Sequence, residues 1–174
     1  MTTVQVEKLI SHELFPFSDL SDEDKKKLET HQVLAVTSPK AAVWLAKNVS
    51  DFQGRIYVSG ARSERALKPM KRAQIINPEK TYAKALAGEI AKNESQVLHI
   101  LGNRALKHLE EELSNQLIDY QNIEVYSTDL TPKAFELEQV DGIVFSSPSQ
   151  VESFTALNQI KKPTFALCIG QTTA

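Results

Sequence analysis

The sequence predicts an α/β fold made of two similar units with parallel sheets, and three observations support this prediction. Short apolar runs rich in valine and isoleucine alternate with amphipathic segments along most of the chain, as expected for alternating strands and helices. A corner that consists of a strand, a hydroxyl pair, a proline and a helix begins at Val33 and again at Gly142. Each corner is followed, at nearly the same spacing, by a second strand that ends at a glycine, Gly60 or Gly170. Two motifs that recur together indicate a repeated α/β unit.

The residues of each corner explain its predicted shape. The β-branched run predicts a buried strand. Ser38 and Ser147 stand where a hydroxyl can accept a hydrogen bond from the first helical turn. Pro39 and Pro148 follow them, at the first helical position, where the N–H that proline lacks would have no partner.

Composition restricts the class of protein. The 174 residues suffice for one ordinary domain or two small ones, and 41% hydrophobic and 24% charged residues are typical of a soluble globular protein. The net charge of −2 argues against a general nucleic-acid or acidic-membrane binder. The sequence shows no membrane span or signal peptide, and its single cysteine, Cys168, fits a reducing compartment. We therefore expect a cytoplasmic protein.

The segment before the first corner is less regular. Residues 4–14 fit a strand only loosely, and Phe15-Pro16-Phe17 interrupts regular structure. Ser18 to Leu28 predicts a capped helix, because acidic residues occupy its first turn and lysines follow them.

From Val33 to Tyr126 the pattern predicts five strands that alternate with helices. The strands are Val33–Val36, Arg55–Val58, Gln74–Ile76, Gln96–Leu101 and Asn122–Tyr126. The helices follow Pro39, Gly60, Asn77-Pro78 and Asn103, and the last of them is predicted over Arg104–Gln116. Alternation of this kind implies parallel pairing through right-handed crossovers, so we predict a doubly wound, flavodoxin-like unit.

The chain after Tyr126 predicts a shorter second unit. The polar stretch from Ser127 to Pro132 is interpreted as a linker. The second corner, its helix and a strand over Thr164–Ile169 follow, and the residues after Gly170 would begin a further helix. The second unit is therefore expected to be incomplete.

Polar turns follow the predicted strands. They contain Thr37, Ser38, Ser59, Gly60, Asn103, Ser147, Ser149, Gly170, Thr172 and Thr173. Ligands of doubly wound sheets bind beyond the carboxyl ends of the strands, where helix N-termini attract anions. The first helical turns carry Lys40, Arg62, Arg104 and Lys107, and a cation there is unfavourable unless an anion lies close by. We interpret the turns as anion receptors, with plain helix capping as the alternative for any single turn.

Other residue types give weaker signals. The four histidines show no ligand spacing, so no metal site is expected. Trp44, Phe154 and Cys168 fit a packed core. Tyr126 closes the last strand before the predicted linker, where it could be an amphipathic filler or a catalytic group.

The ordered set of motifs resembles uroporphyrinogen-III synthases over nearly the whole chain. The matching segments are Val36-Thr37-Ser38-Pro39-Lys40-Ala41, Ile56-Tyr57-Val58-Ser59-Gly60, His99-Ile100-Leu101-Gly102-Asn103, Glu124-Val125-Tyr126, Val144-Phe145-Ser146-Ser147-Pro148-Ser149 and Ile169-Gly170-Gln171-Thr172-Thr173-Ala174. No single motif is specific, whereas their order and spacing are.

The resemblance implies a fold and an activity. Members of the family have two α/β domains joined by a two-stranded linker, with the active site between the domains, and one domain is discontinuous. They cyclise the linear tetrapyrrole hydroxymethylbilane with inversion of ring D, release water, and use no cofactor. By this resemblance we predict an inserted flavodoxin-like domain over 33–126, a discontinuous domain over 1–17 and 133–174, and linkers over 18–32 and 127–132.

The resemblance also implies roles for residues. Thr37, Ser38, Ser147, Ser149, Gly170, Thr172 and Thr173 match the family's cleft-lining, substrate-binding positions, and Tyr126 matches the tyrosine usually proposed as the proton donor to the leaving hydroxyl. The expected partner is hydroxymethylbilane alone, with no nucleic acid or membrane, and we expect a monomer.

Two departures from the family pattern leave an alternative open. Family members have a further strand and helix before the equivalent of Val4 and continue past Ala174, and Gly60-Ala61-Arg62-Ser63 departs from the usual G-x-x-T-A turn. The alternative is a non-catalytic α/β module that binds a small anion or a tetrapyrrole. A receiver-like signalling domain fits poorly, because no acidic cluster follows a predicted strand.

Overall fold

The computed structural model describes residues 4–80, 82–160, 164–169 and 173. The chain divides into two compact units. Unit 1 comprises Met1–His12 and Thr128–Ala174, and unit 2 comprises Glu13–Ser127. Gly170 and Thr172, predicted as site residues, lie outside the described residues.

Eight strands and six α-helices are described. The strands are β1 (Ile10–Leu14), β2 (Val33–Val36), β3 (Arg55–Val58), β4 (Gln74–Ile76), β5 (Gln96–Gly102), β6 (Asp119–Leu130), β7 (Gly142–Phe145) and β8 (Phe165–Cys168). The helices are α1 (Asp22–Thr30), α2 (Pro39–Asn48), α3 (Ala61–Leu67), α4 (Ala83–Ala91), α5 (His108–Ser114) and α6 (Pro148–Thr155). None of the helices in the described ranges is long and apolar enough to cross a membrane.

The strands form a six-stranded sheet, in the order β1-β6-β5-β2-β3-β4, and a two-stranded sheet of β7 and β8. The neighbouring strands from β6 to β4 are parallel, as the alternating pattern predicts. Counted along the chain, the five parallel strands of unit 2 follow the order 3-2-1-4-5, whereas a flavodoxin-like sheet follows 2-1-3-4-5. Periodicity predicts that strands alternate with helices, but it does not predict on which side of the first two strands the third is added.

The core of unit 2 has two layers because the strand residues alternate between the faces of the sheet. Leu34 and Val36 of β2 face the side covered by α2 and α3. Val33 and Ala35 face the side covered by α4 and α5. Helices on both faces make unit 2 a doubly wound α/β unit.

Trp44 of α2 lies in the core, as predicted. Its side chain is 1% exposed, and its indole N–H donates to the Phe15 carbonyl oxygen over 2.6 Å. The Phe17 ring stacks on it with ring centroids 6.2 Å apart. The break at Phe15-Pro16-Phe17 is thus held by the core of unit 2.

The core that the described residues of unit 1 form is small. It consists of Leu9, Phe145 and Phe154, with partly buried residues around them that include Cys168. The rings of Phe145 and Phe154 meet edge to face at 5.4 Å, so Phe154 lies in the core as predicted. Asn158 is buried beside them, where its amide donates to the carbonyl oxygens of Lys133 and Phe154 and accepts from the Phe135 N–H.

Several predicted elements have different bounds, and two of these differences bear on the predicted site residues. β6 continues to Leu130 through the stretch predicted as a linker, because its polar side chains still allow backbone pairing. The helix predicted over Arg104–Gln116 begins only at His108, after a turn in which the Ala105 N–H donates to the Gly102 carbonyl oxygen. Arg104 and Lys107 therefore do not lie in the first helical turn.

Candidate active site

The carboxyl ends of β3, β2 and β5, together with the neighbouring part of β6, bring several predicted site residues to one edge of unit 2. Thr37 and Ser38 follow β2, Ser59 and Gly60 follow β3, and Asn103 follows β5, next to Tyr126 of β6. Backbone bonds hold these turns together: the Ser59 N–H donates to the Val36 carbonyl oxygen, and the Asn103 N–H donates to the Tyr126 carbonyl oxygen. We call Thr37, Ser38, Ser59, Gly60, Asn103 and Tyr126 the unit 2 edge.

Ser38 and Tyr126 are hydrogen bonded to each other. The Tyr126 hydroxyl donates to Ser38 Oγ over 3.0 Å, across 88 residues of sequence. The same oxygen accepts the Lys40 N–H over 3.2 Å and so caps α2 as predicted. Since Ser38 Oγ accepts both hydrogen bonds, its own hydroxyl proton can be donated to a further acceptor.

Gly102 allows the Tyr126 ring to lie where it does. A Cβ built on Gly102 would come within 2.7 Å of Cε1 of that ring and closer still to two other ring carbons. Any side chain at this position would therefore displace the phenol. The sequence placed Gly102 only in a turn, and no sequence pattern indicated its contact with Tyr126.

Thr37 is paired with a buried histidine. Its Oγ1 lies 3.0 Å from Nε2 of His99, and Nδ1 of His99 lies 3.0 Å from the Tyr120 hydroxyl. His99 is 2% exposed, and burial lowers its pKa to about 4, so the ring is neutral at pH 7. The spacing of the histidines along the sequence indicates only whether they could bind a metal together. It therefore did not predict the contact between His99 and Thr37.

Gly60 has a conformation that favours glycine, with φ of 88°. Its N–H donates to Oδ1 of Asn77 over 3.2 Å, and the Asn77 amide donates in turn to Glu64 over 2.7 Å. The helix after Gly60 thus begins without a hydroxyl cap, and Asn77 holds the turn instead.

One of the four predicted first-turn cations is half-buried at the unit 2 edge. Lys40 is the second residue of α2, and burial lowers the pKa of its ammonium group. Within the described residues no ion pair involves Lys40. That this first-turn cation serves an anion near Ser38 stays a prediction. Arg62 also lies in a first turn, that of α3, but its side chain is exposed.

The corner of unit 1 has the same residue types in another arrangement. Ser147 precedes α6, but its side chain makes no capping bond; its Oγ lies 3.2 Å from Oγ of Ser149. The Gln150 side chain accepts from both the backbone N–H and the hydroxyl of Ser146, at 2.8 and 2.9 Å. Thr173, beyond the adjacent β8, is buried and donates to the Ile169 carbonyl oxygen.

A pocket in unit 1 does not include these serines. It measures about 640 Å³ and is lined in part by Phe135, Leu157, Ile160 and Thr164. Most of these residues follow α6 or precede β8, so the pocket lies toward the amino ends of β7 and β8. Because ligands of parallel sheets bind at the carboxyl ends, we regard the hydroxyl-bearing edges as the candidate site. Among the described residues, no group of three or more histidine, cysteine or acidic side chains could hold a metal ion.

Comparison with known proteins identifies the family. Residues 9–174 match the family model described as Uroporphyrinogen-III synthase HemD. No curated protein matches the sequence.

Two solved structures have a similar fold. Uroporphyrinogen-III synthetase from Helicobacter pylori is 18% identical with a TM-score of 0.66, over 95% of this chain and 78% of its own. A mutant uroporphyrinogen III synthase from Thermus thermophilus is 19% identical with a TM-score of 0.71, over 95% and 75% of the two chains. At this identity the two structures establish the fold, while the family model covers nearly the whole chain. The chain therefore belongs to the uroporphyrinogen-III synthase family.

Proposed function

We propose that the unit 2 edge binds the reacting end of hydroxymethylbilane and that Tyr126 is the general acid of the reaction. Membership of the family assigns the chain to uroporphyrinogen-III synthesis, a step of tetrapyrrole biosynthesis. Our proposal concerns which residues perform this step. The observation that carries the proposal is the hydrogen bond from the Tyr126 hydroxyl to Ser38 at the start of α2.

The chemistry of the first step suits a phenol. The C–O bond of the hydroxymethyl group breaks, and its electron pair leaves with the oxygen. The Tyr126 proton completes a water molecule, and the pyrrole nitrogen lone pair supplies the electrons of the new exocyclic double bond. The pyrrole nitrogen then loses its N–H proton, which gives the neutral azafulvene and restores the phenol. A positioned acid of this kind contributes about 10²- to 10⁴-fold to a rate.

The second step depends on orientation. Attack by the substituted carbon of ring D on the azafulvene methylene carbon gives a spiro intermediate. The original bond from that carbon to the methylene bridge of ring C then breaks and gives a second azafulvene. The free α-carbon of ring D attacks this second azafulvene and loses its proton, which closes the inverted ring. Holding a flexible linear tetrapyrrole with its two ends together supplies much of the acceleration. We assign the holding of the substrate to Thr37, Ser38, Ser59, Gly60 and Asn103 in unit 2, and to Ser147, Ser149, Gly170, Thr172 and Thr173 in unit 1.

The charges at the unit 2 edge support an anionic substrate. Hydroxymethylbilane carries acetate and propionate carboxylates, whereas the whole chain has a net charge of −2 and does not attract anions by its overall field. The N-terminus of α2 and the half-buried ammonium group of Lys40 provide a local positive potential beside Ser38.

The experiment is an assay of the native chain with hydroxymethylbilane, followed by chromatographic separation of the product isomers. We expect uroporphyrinogen III. The type I isomer, which forms without an enzyme, would be the sole product if the chain were inactive. Thermal stabilisation by a tetrapyrrole without conversion would instead favour a binding module.

Tyr126→Phe tests the acid. We expect turnover to fall by about 10²- to 10⁴-fold while the fold is retained, because only the phenol hydroxyl is removed. Tyr57→Phe is the matched control: the Tyr57 hydroxyl is also hydrogen bonded, to Glu94, but it lies away from the unit 2 edge. Turnover should be normal in the control, and an unchanged rate in Tyr126→Phe would remove Tyr126 from the mechanism.

A further inference from the structure

His99 lies in the middle of β5 on the face of the sheet that α4 and α5 cover. The paired position on β2 is Ala35, and Thr37 is the next residue along the chain on the same face. Tyr120 of β6 is on this face too, and its ring meets the imidazole edge to face with centroids 6.0 Å apart. The three polar side chains thus form a row that begins at the unit 2 edge, passes through the buried His99 and ends at the partly buried Tyr120.

A neutral imidazole has one donor nitrogen and one acceptor nitrogen. With Thr37 at Nε2 and Tyr120 at Nδ1, one hydroxyl must donate to the ring and the other must accept from it. The direction of the Thr37 bond is therefore set by the direction of the Tyr120 bond.

The acidity of the two hydroxyls indicates that Tyr120 is the donor. A phenol is more acidic than an aliphatic hydroxyl and gives the stronger bond to an imidazole nitrogen. The Tyr120 hydroxyl lies 3.0 Å from Nδ1 and Thr37 Oγ1 lies 3.0 Å from Nε2, so the two contacts are equally short and the difference in acidity decides between the two tautomers. The Tyr120 proton then points to Nδ1, and Nε2–H donates to Thr37.

The consequence concerns the proton of Thr37. An oxygen that accepts from Nε2–H cannot send its own proton back along the same line. Within the described part of the chain, Thr37 Oγ1 has no side-chain partner other than His99. The Thr37 hydroxyl proton is therefore free to reach an acceptor beyond the end of β2.

We propose that His99 is a positioning residue, which together with Tyr120 fixes Thr37 as a hydrogen-bond donor to a carboxylate of the linear tetrapyrrole. The choice of ligand rests on the proposed function of the unit 2 edge. A threonine whose lone pair is occupied favours groups that only accept, and a carboxylate is such a group. The row thus discriminates in favour of the anionic side chains of the substrate.

Nuclear magnetic resonance of the full chain with ¹⁵N-labelled histidine tests the geometry without any substrate. Two-bond couplings from the ring protons identify the protonated nitrogen, and the missing signal in His99→Gln assigns the ring. We expect Nε2–H. Tyr120→Phe should shift mainly the Nδ1 resonance, and Thr37→Val mainly the Nε2 resonance. An Nδ1–H ring in the native chain would overturn the proposal, since Thr37 would then donate to His99.

Steady-state kinetics with hydroxymethylbilane tests the consequence. His99→Leu and Thr37→Val should each raise KM about tenfold with kcat nearly unchanged, as expected for the loss of one hydrogen bond to a charged group. The double variant should have a KM no higher than Thr37→Val alone. His99→Gln should retain a nearly native KM, because its amide can still donate to Thr37. Independent effects that multiply in the double variant would overturn the proposal.

The two tests separate this inference from the proposed function. If the native chain gave no uroporphyrinogen III, the proposed function would fail, and so would the assignment of a substrate carboxylate as the acceptor of the Thr37 proton. An Nε2–H ring would still establish Thr37 as a hydrogen-bond donor. If turnover were normal and the ring carried its proton on Nδ1, the positioning role would fail alone. Should His99→Leu not fold, Tyr120→Phe takes its place, with a smaller rise in KM expected.

Discussion

The corner before α2 and the corner before α6 have the same residue types but different hydrogen bonds. Ser38 caps its helix and accepts the Tyr126 hydroxyl, whereas Ser147 makes no capping bond and pairs with Ser149. The supporting structure differs as well. Four side chains of α2 are buried in a large two-layered core, while α6 buries Phe154 and Ser153 beside a small one. The local sequence determines the shape of a corner, and distant residues determine what its hydroxyl does.

The largest expected difference between the units concerns their cores. Phe154→Ala removes one of the three buried hydrophobic side chains that the structure describes in unit 1, and truncation of a buried phenylalanine costs about 3–5 kcal/mol. We expect fast amide hydrogen exchange in β7, α6 and β8 and unchanged protection in β2, β3 and β5. Leu157→Ala is the control, because Leu157 is 59% exposed, and it should change exchange little. Equal loss of protection in both units would show that they unfold together.

The second difference is a pH dependence of unit 2. The pKa of His99 is about 4 in the folded chain and about 6.5 when unfolded, so the unfolded state binds more protons between these values. The contribution of the neutral His99 ring to the stability of unit 2 should therefore be fully present above pH 6.5. The free energy of unfolding should fall by about 3 kcal/mol as the pH is lowered to 4. Tyr120 faces the ring, and Glu110 interacts with Tyr120, but neither offers His99 a compensating carboxylate contact.

Urea unfolding followed by tryptophan fluorescence measures this effect, because the only tryptophan, Trp44, belongs to unit 2. His99→Gln lacks the titrating ring, so the variant should lose about 3 kcal/mol less than the native chain between pH 7 and pH 4. Parallel loss in the two proteins would mean that other groups dominate the acid sensitivity.

The third difference is the support of Tyr126 by Gly102. Gly102→Ala places a methyl group inside the Tyr126 ring, and overpacking of this kind costs about 1–3 kcal/mol. We expect turnover to fall as in Tyr126→Phe, because the ring must move away from Ser38. Gly88→Ala in α4 is the matched control, since nothing lies within 4 Å of the added Cβ, and it should stabilise the chain by up to about 1 kcal/mol. Normal turnover in Gly102→Ala would show that the ring position is unimportant.

These differences also explain what the sequence could predict. Strands such as Val33–Val36 and helices such as Pro39–Asn48 were predicted because periodicity, N-caps and proline act within a few residues. The parallel pairing followed from alternation, but the observed order 3-2-1-4-5 did not, because it depends on which face each crossover helix covers. The extension of β6 to Leu130 was missed for a similar reason: its partner strand lies far away in the sequence.

The sequence predicts which site residues follow the strands, but it does not predict which side chains they are hydrogen bonded to. Turn chemistry placed Thr37, Ser38 and Ser147 after strands. The partner of Ser38, Tyr126, lies 88 residues away, and that of Thr37, His99, lies 62 residues away. Such contacts depend on strand register, which a single sequence does not encode in any local pattern.

The smallest expected effect compares the two corners directly. Ser38→Ala removes a capping oxygen from α2 and should cost about 1 kcal/mol, whereas Ser147→Ala removes no cap from α6 and should stay within about 0.5 kcal/mol. Ser38→Thr, which keeps an accepting oxygen, is the control and should remain near the native stability. Urea unfolding followed by circular dichroism compares all three variants with the native chain. Equal costs in Ser38→Ala and Ser147→Ala would mean that Ser147 caps its helix in solution, and the difference between the corners would then lie only in Tyr126.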